Sequence, residues 1–200
     1  MSTAAARLDG RTARSARSRA AVVDAMLDLL LAGDLQPTAA RIAERAGVSL
    51  RLVFQHFEDL EALYAEAADR QIERLQRLIG APPVDGPLAR RLAAFVDRRV
   101  ELLETIAPIR RAAQLRAPFS PVLGTRLQAA RALTRAEVEV VFARELAARP
   151  PAAQRELAAA LAVAAGFSAW DSLRTHHGLS PAHAKKVVTR ALRALLKESN

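Results

Sequence analysis

Apolar side chains recur at three- and four-residue intervals along the chain, the spacing that lines up one face of a helix, and no stretch reads as a strand. Val22, Val23, Met26, Leu27 and Leu30 predict a first helix over about 15–32, with Gly33 placed as its C-terminal cap. A short helix follows Pro37-Thr38 and ends near Arg45, and Ala46-Gly47-Val48 makes a tight turn. Ser49 is a good N-cap for a second short helix reaching about His56. Leu60, Leu63, Tyr64, Ala67, Ile72, Leu75 and Leu78 form the stripe of a long helix that stops at Gly80. After a Pro/Gly-rich linker over 81–87, further helices are expected over about 88–105, 122–148, 152–175 and 181–197, with Pro108, Pro118 and Pro121 breaking the stretch between the first two.

The fold class is therefore all-α. Three divisions are expected: a flexible arginine-rich arm over 1–14, a three-helix unit over 15–62, and a helical domain over 63–200. With 200 residues, about half of them hydrophobic, the chain is too apolar for disorder. No run approaches the ~18 uncharged apolar residues of a membrane span, and residues 1–20 lack the apolar core of a secretory signal, so a cytoplasmic, membrane-free protein is expected. The absence of cysteine excludes disulfides, thiolate metal sites and cysteine nucleophiles.

Net charge is +9, which invites a polyanionic partner. Its distribution is uneven: residues 1–60 hold eight arginines against seven acids, whereas residues 61–200 hold 22 bases against 14 acids. Arginine outnumbers lysine 27 to 3, which we read as the coding bias of a GC-rich bacterial genome rather than as chemistry.

Residues 38–57 carry the most specific pattern. Ile42, Ala43 and Ala46 would form the inner face of the first short helix and Val48 and Val53 that of the second. Gly47 sits at the turn, where a positive φ is cheap only without a Cβ. This is the layout of a helix-turn-helix, whose second helix fits the major groove of double-stranded DNA. On that helix Leu50, Arg51, Phe54 and Gln55 share a face opposite Val53. Arginine suits guanine and glutamine suits adenine, and Leu50 and Leu52 suit thymine methyls. Thr38 opens the first short helix, where a hydroxyl and backbone N–H groups meet phosphate, and Arg41 and His56 are further phosphate candidates.

Over about 19–63 the chain resembles the N-terminal domain of the TetR family of bacterial repressors, through Gly33, Thr38, Ile42-Ala43, Ala46-Gly47-Val48-Ser49, Phe54, His56-Phe57 and Leu63. The resemblance implies three DNA-binding helices, with Thr38, Arg41, Ser49, Leu50, Arg51, Leu52, Phe54, Gln55 and His56 at the DNA. It also implies a C-terminal helical domain that dimerises and binds a small-molecule effector. Phe54 stands where the family usually has tyrosine, Leu60 where lysine is usual, and Arg51 where glycine or proline is common. The first two remove phosphate contacts; Arg51 and the arm arginines (Arg7, Arg11, Arg14, Arg17, Arg19) are placed to offset the loss.

By the same resemblance, Leu157, Leu161, Ala164, Ser168, Val188, Leu192 and Leu195 are expected at a homodimer interface, and Phe95, Arg99, Leu103, Phe142, Phe167 and Trp170 around an effector pocket. The basic balance of residues 61–200 favours an anionic or polar-headed ligand. The plainer reading of Arg99 is an interhelical or surface ion pair, and of Trp170 core or dimer packing. Asp97, Glu101 and Glu104 are interleaved with arginines and read as a solvated face. His176 and His177 point about 100° apart on a helix and do not share one metal ion easily. No catalytic constellation, cofactor motif or metal site stands out. Two classes of function remain: a DNA-binding regulator, and a helical ligand- or protein-sensing module with weak or no specific DNA binding.

Overall fold

A computed structural model describes residues 3–82 and 84–197, with side chains for all of these except 3–11, 76, 78 and 79. The described residues form ten α-helices and one 3-10 turn, with no strand. They run α1 (Thr3–Leu31), α2 (Ala39–Ala46), α3 (Leu50–His56), α4 (Leu60–Ile79), α5 (Leu88–Arg116), the 3-10 turn Ala117–Phe119, α6 (Pro121–Val141), α7 (Ala143–Ala147), α8 (Pro151–Ala164), α9 (Phe167–Thr175) and α10 (Pro181–Lys197).

Four boundaries differ from the sequence pattern. Helix α1 begins at Thr3, so residues 3–14 are helical where a flexible arm is expected; alanine and arginine are strong helix formers and nothing before Gly33 stops them except Gly10. The side chains of Arg7 and Arg11 lie outside the described residues. Helix α5 runs through Pro108 to Arg116 instead of ending near Thr105. Proline removes one intrahelical hydrogen bond, and the apolar positions on either side, Ala107 and Ile109, are both buried and outweigh that loss. The expected helix over 122–148 is divided at Phe142, and that over 152–175 at Ala165-Gly166. At Gly166 a Cβ would stand 2.9 Å from the Ala162 carbonyl oxygen and 3.2 Å from that of Val163, so the sharp exit from α8 requires glycine.

The chain divides into two compact units, Met1–Arg74 with Pro108–Gly124, and Leu75–Ala107 with Thr125–Asn200. The first takes in 108–124, which the sequence pattern assigns to the C-terminal domain. The reason is burial: Ile109, Ala112 and Leu123 belong to the same core as Val22, Val23, Met26, Leu27 and Leu30 of α1, Ile42 and Ala43 of α2, Val53 of α3 and Leu63, Tyr64 and Ala67 of α4. Tyr64 donates its hydroxyl to the Leu35 carbonyl (3.2 Å), and the Arg116 guanidinium lies 4.6 Å above its ring. Burial raises the Tyr64 phenol above its ordinary pKa, with the nearby Arg116 opposing.

The second unit packs α5, α6, α7, α8, α9 and α10 around Phe95, Phe142, Leu161, Trp170, Val188 and Leu192. Phe95 and Phe142 meet edge to face with centroids 5.3 Å apart. No helix among the described residues is long and apolar enough to cross a membrane, and no group of metal-ligating side chains gathers among them.

Candidate nucleic-acid interface

The α2–turn–α3 segment is built by local chemistry. Thr38 has extended backbone (φ −80°, ψ 155°), and its Oγ1 accepts the Arg41 N–H at 3.3 Å, closing the first turn of α2. Ile42 and Ala43 bury the inner face of α2. The helix ends in a left-handed residue, Gly47 (φ 65°, ψ 32°), whose N–H turns back to the carbonyls of Ala43 and Glu44, while the Val48 N–H reaches Ala43 at 3.0 Å. Two residues later Ser49 caps α3, its hydroxyl accepting the Leu52 N–H at 3.2 Å. The caps therefore fix where both helices begin, and Gly47 fixes the turn between them.

Helix α3 anchors itself through Val53, which is 1% exposed. Its opposite face stays in solvent: Leu50 and Phe54 are 45% and 51% exposed, and Arg51 and Gln55 are also exposed. Leu52 is half-buried at the side of this face. Exposed leucine and phenylalanine on a seven-residue helix cost hydration without any internal return, and they sit beside two side chains suited to base edges.

The phosphate candidates fare unequally. Thr38 is exposed at the start of α2. Arg41 is exposed but pairs with Asp34 at 2.5 Å, a solvent-screened contact that a phosphate can replace. His56 is half-buried and engaged: its Nε2 lies 2.7 Å from Ser18 Oγ. Ser18 also donates to the Ser15 carbonyl at 3.0 Å. Ser18 Oγ thus stands between two partners, the Ser15 carbonyl and the imidazole, and the direction of its hydrogen bond with Nε2 follows the ring tautomer. The His56 ring is thus engaged within the chain through Nε2.

Arg19 is reassigned. Grouped with the arm by sequence, it instead donates to the His56 carbonyl, pairs with Glu66 and places its guanidinium 4.2 Å above the Phe57 ring. A signal existed: Arg19 precedes Val23 and Met26 by four and seven residues, so it continues the core stripe of α1. Arg14 and Arg17 remain exposed on α1.

In the second unit the five apolar residues expected around a pocket, Phe95, Leu103, Phe142, Phe167 and Trp170, come together in one buried core. Arg99 joins them as an interhelical ion pair. Its guanidinium donates to the Ala165 carbonyl (3.0 and 3.2 Å) and to Thr134 Oγ1 (3.3 Å), and lies 3.5 Å from Glu137. Burial lowers the pKa of its guanidinium, and the Glu137 carboxylate works the other way. Glu104, expected in solvent, accepts from Trp170 Nε1 at 2.8 Å and from Arg174 at 2.9 Å. Asp97 and Glu101 are exposed as expected, and Asp97 pairs with Lys185.

Of the seven residues expected at a dimer interface, four lie in the chain's own core. Leu157, Leu161, Val188 and Leu192 are at most 6% exposed within the single chain and pack into its own core, so they have no surface to give a partner. Only Ser168 is exposed, with Ala164 and Leu195 half-buried. The apolar surface on these helices belongs to neighbours in the sequence, Val163 (72% exposed) on α8 and Val187 (42%) on α10.

No protein-family model matches the chain, and no curated protein matches it. Solved structures do. A transcriptional regulator from Rhodococcus sp. RHA1 superposes with a TM-score of 0.67 at 20% identity, over 92% of this chain and 97% of that one. A TetR-family transcriptional regulator from Streptomyces coelicolor gives 0.66 at 20% identity, over 92% of this chain and 83% of its own. The chain has the all-α fold of these regulators over about nine-tenths of its length.

Proposed function

We propose that this protein is a cytoplasmic, ligand-responsive transcriptional regulator, a repressor that binds a palindromic operator in double-stranded DNA as a homodimer and is released by a small-molecule effector. The observation that carries the reading is the outward face of α3. Leu50, Arg51, Phe54 and Gln55 stand in solvent on a capped two-turn helix whose only buried residue is Val53. Arg51 and Gln55 read base edges, Leu50, Leu52 and Phe54 supply apolar contact, and Thr38, Ser49 and Arg41 lie along the phosphates. Two such helices in a two-fold dimer enter successive major grooves about 34–36 Å apart.

The homodimer is supported by apolar surface on α8 and α10, where Val163 and Val187 are exposed beside Ala164, Ser168 and Leu195. The effector is the least specified part. The packed core around Phe95, Phe142 and Trp170 is its proposed place, and the effector acts by favouring a conformer with the wrong half-site spacing. No catalytic role is proposed.

The test is competition binding with the DNA flanking the protein's own gene against a random duplex. Wild type prefers the flanking DNA. Arg51→Ala loses about 1–3 kcal/mol of that preference, while Thr38→Ala weakens both duplexes alike. Equal preference in wild type and Arg51→Ala removes Arg51 as a base reader, and no preference in wild type favours a sensing module instead.

A further inference from the structure

The recognition helix proposed above is only seven residues long, short enough that its ends decide its orientation. Its N-terminus is fixed within the segment by Ser49 and Gly47. Its C-terminus is fixed from elsewhere. Two adjacent residues of α1, 37 and 38 positions away in the chain, close on the single residue His56. Ser18 Oγ shares a 2.7 Å hydrogen bond with the imidazole Nε2, and Arg19 donates through Nη1 to the His56 carbonyl, one of the last carbonyls of α3 that lack an intrahelical donor. The cation at this end also faces the negative pole of the helix dipole.

Arg19 is itself held on three sides. Its Nη2 pairs with Glu66 of α4, its guanidinium covers the Phe57 ring at 4.2 Å, and Glu66 is steadied by Arg70 at 3.8 Å. Arg70 in turn donates to the Ala20 carbonyl at 3.1 Å and to Asp24 at 3.3 Å, returning the network to α1. The guanidinium thus ties α1, the end of α3 and α4 at one point.

We infer that Ser18 and Arg19 form a clamp that sets the angle of α3, making Arg19 a positioning residue for DNA specificity rather than a phosphate contact. The inference rests on the proposed DNA-binding reading, but the clamp itself is a property of the free protein. The Arg19 side chain keeps 43% of its surface exposed, but its two terminal nitrogens are both engaged within the chain, Nη1 with the His56 carbonyl and Nη2 with Glu66. Losing it leaves α3 attached by Val53 and its N-cap, with Arg51 and Gln55 no longer held in register.

The experiment uses the full chain as wild type, Arg19→Ala, Ser18→Ala and, as a control, Arg14→Ala, an exposed arginine on the same helix. Amide hydrogen exchange reads the clamp without DNA. Arg19→Ala speeds exchange at the α3 amides Val53 to His56 by about tenfold, Ser18→Ala by less, and Arg14→Ala not at all, while α1 core amides keep their protection. Binding reads the consequence. Arg19→Ala lowers operator-over-random preference by about tenfold and leaves the salt slope unchanged, because no phosphate contact is lost. Unchanged α3 exchange in both clamp variants overturns the inference. So does a salt slope reduced by about 0.9 with both duplexes weakened alike, which marks Arg19 as a phosphate ligand. If wild type has no operator preference, the regulator reading falls and the exchange result alone decides the clamp. Should Arg19→Ala fail to fold, Ser18→Ala carries the same exchange test.

Discussion

The two units differ in how deeply their arginines are buried. In the first, even the Arg70 side chain is 25% exposed, and Arg45 with Asp28 and Arg74 with Asp24 keep about half of their side chains in solvent. In the second, arginines are driven into the core. Arg91 and Arg99 are 2% and 5% exposed, and each is met by a carboxylate and by backbone, two carbonyls for Arg91 and one for Arg99. A surface pair yields a few tenths of a kcal/mol and its arginine can be recruited by a polyanion, whereas a buried guanidinium is committed to its partners. The positive balance of residues 61–200 is therefore a poor guide to where DNA binds. Part of it is internal scaffolding, and the proposed interface lies in the segment that is nearly neutral.

Breaking a buried pair is the sharpest way to test this contrast. Glu137→Ala removes the carboxylate shared by Arg99 (3.5 Å) and Arg98 (2.9 Å), leaves the buried Arg99 charge with the Ala165 carbonyl and the Thr134 hydroxyl, and should cost about 3–5 kcal/mol in urea unfolding. A loss below about 1 kcal/mol would show that Arg99 is hydrated after all. Glu145 offers a gentler version with a pH signature. Burial pushes its carboxyl upward, but hydrogen bonds from Arg91 and from its own backbone N–H outweigh that and hold it below its ordinary 4.5. The folded state favours the charged form, so the stabilisation is present above about pH 4.5 and fades as pH falls through the lower folded value. Glu145→Gln should cost roughly 1–2 kcal/mol at neutral pH, and its deficit against wild type should close on acidification. A deficit that stays constant with pH would mean that packing, not charge, is lost. At the surface Asp28→Ala should change stability by less than about 0.5 kcal/mol; a larger effect would erase the distinction between the units.

The helix-turn-helix was legible because its determinants are local. Thr38 and Ser49 cap, Gly47 turns, and Ile42, Ala43 and Val53 point inward, all within sixteen residues, and each does so in the fold. The contacts of His56 were not legible, since they span nearly forty residues, and for Arg19 the sequence showed only that it continues the α1 stripe, not what it meets there. The outward apolar positions on α8 and α10 were not legible for a related reason. Helical periodicity shows which positions are apolar, but a helix packed on two sides has two apolar faces. Leu157, Leu161, Val188 and Leu192 turn to the chain's own core, leaving Val163 and Val187 outward.

Composition and spacing by themselves determined that this chain is helical, where most helices start and stop, and which seven-residue helix turns Arg51 and Gln55 outward, because caps, turns and amphipathic faces are set by neighbours within a turn or two. Tertiary structure decided which apolar face is inside, that Pro108–Gly124 packs with the first unit, and which arginines are scaffolding and which are free to meet a partner. Those outcomes depend on what a side chain meets from distant parts of the chain, and burial, unlike periodicity, is not a local property.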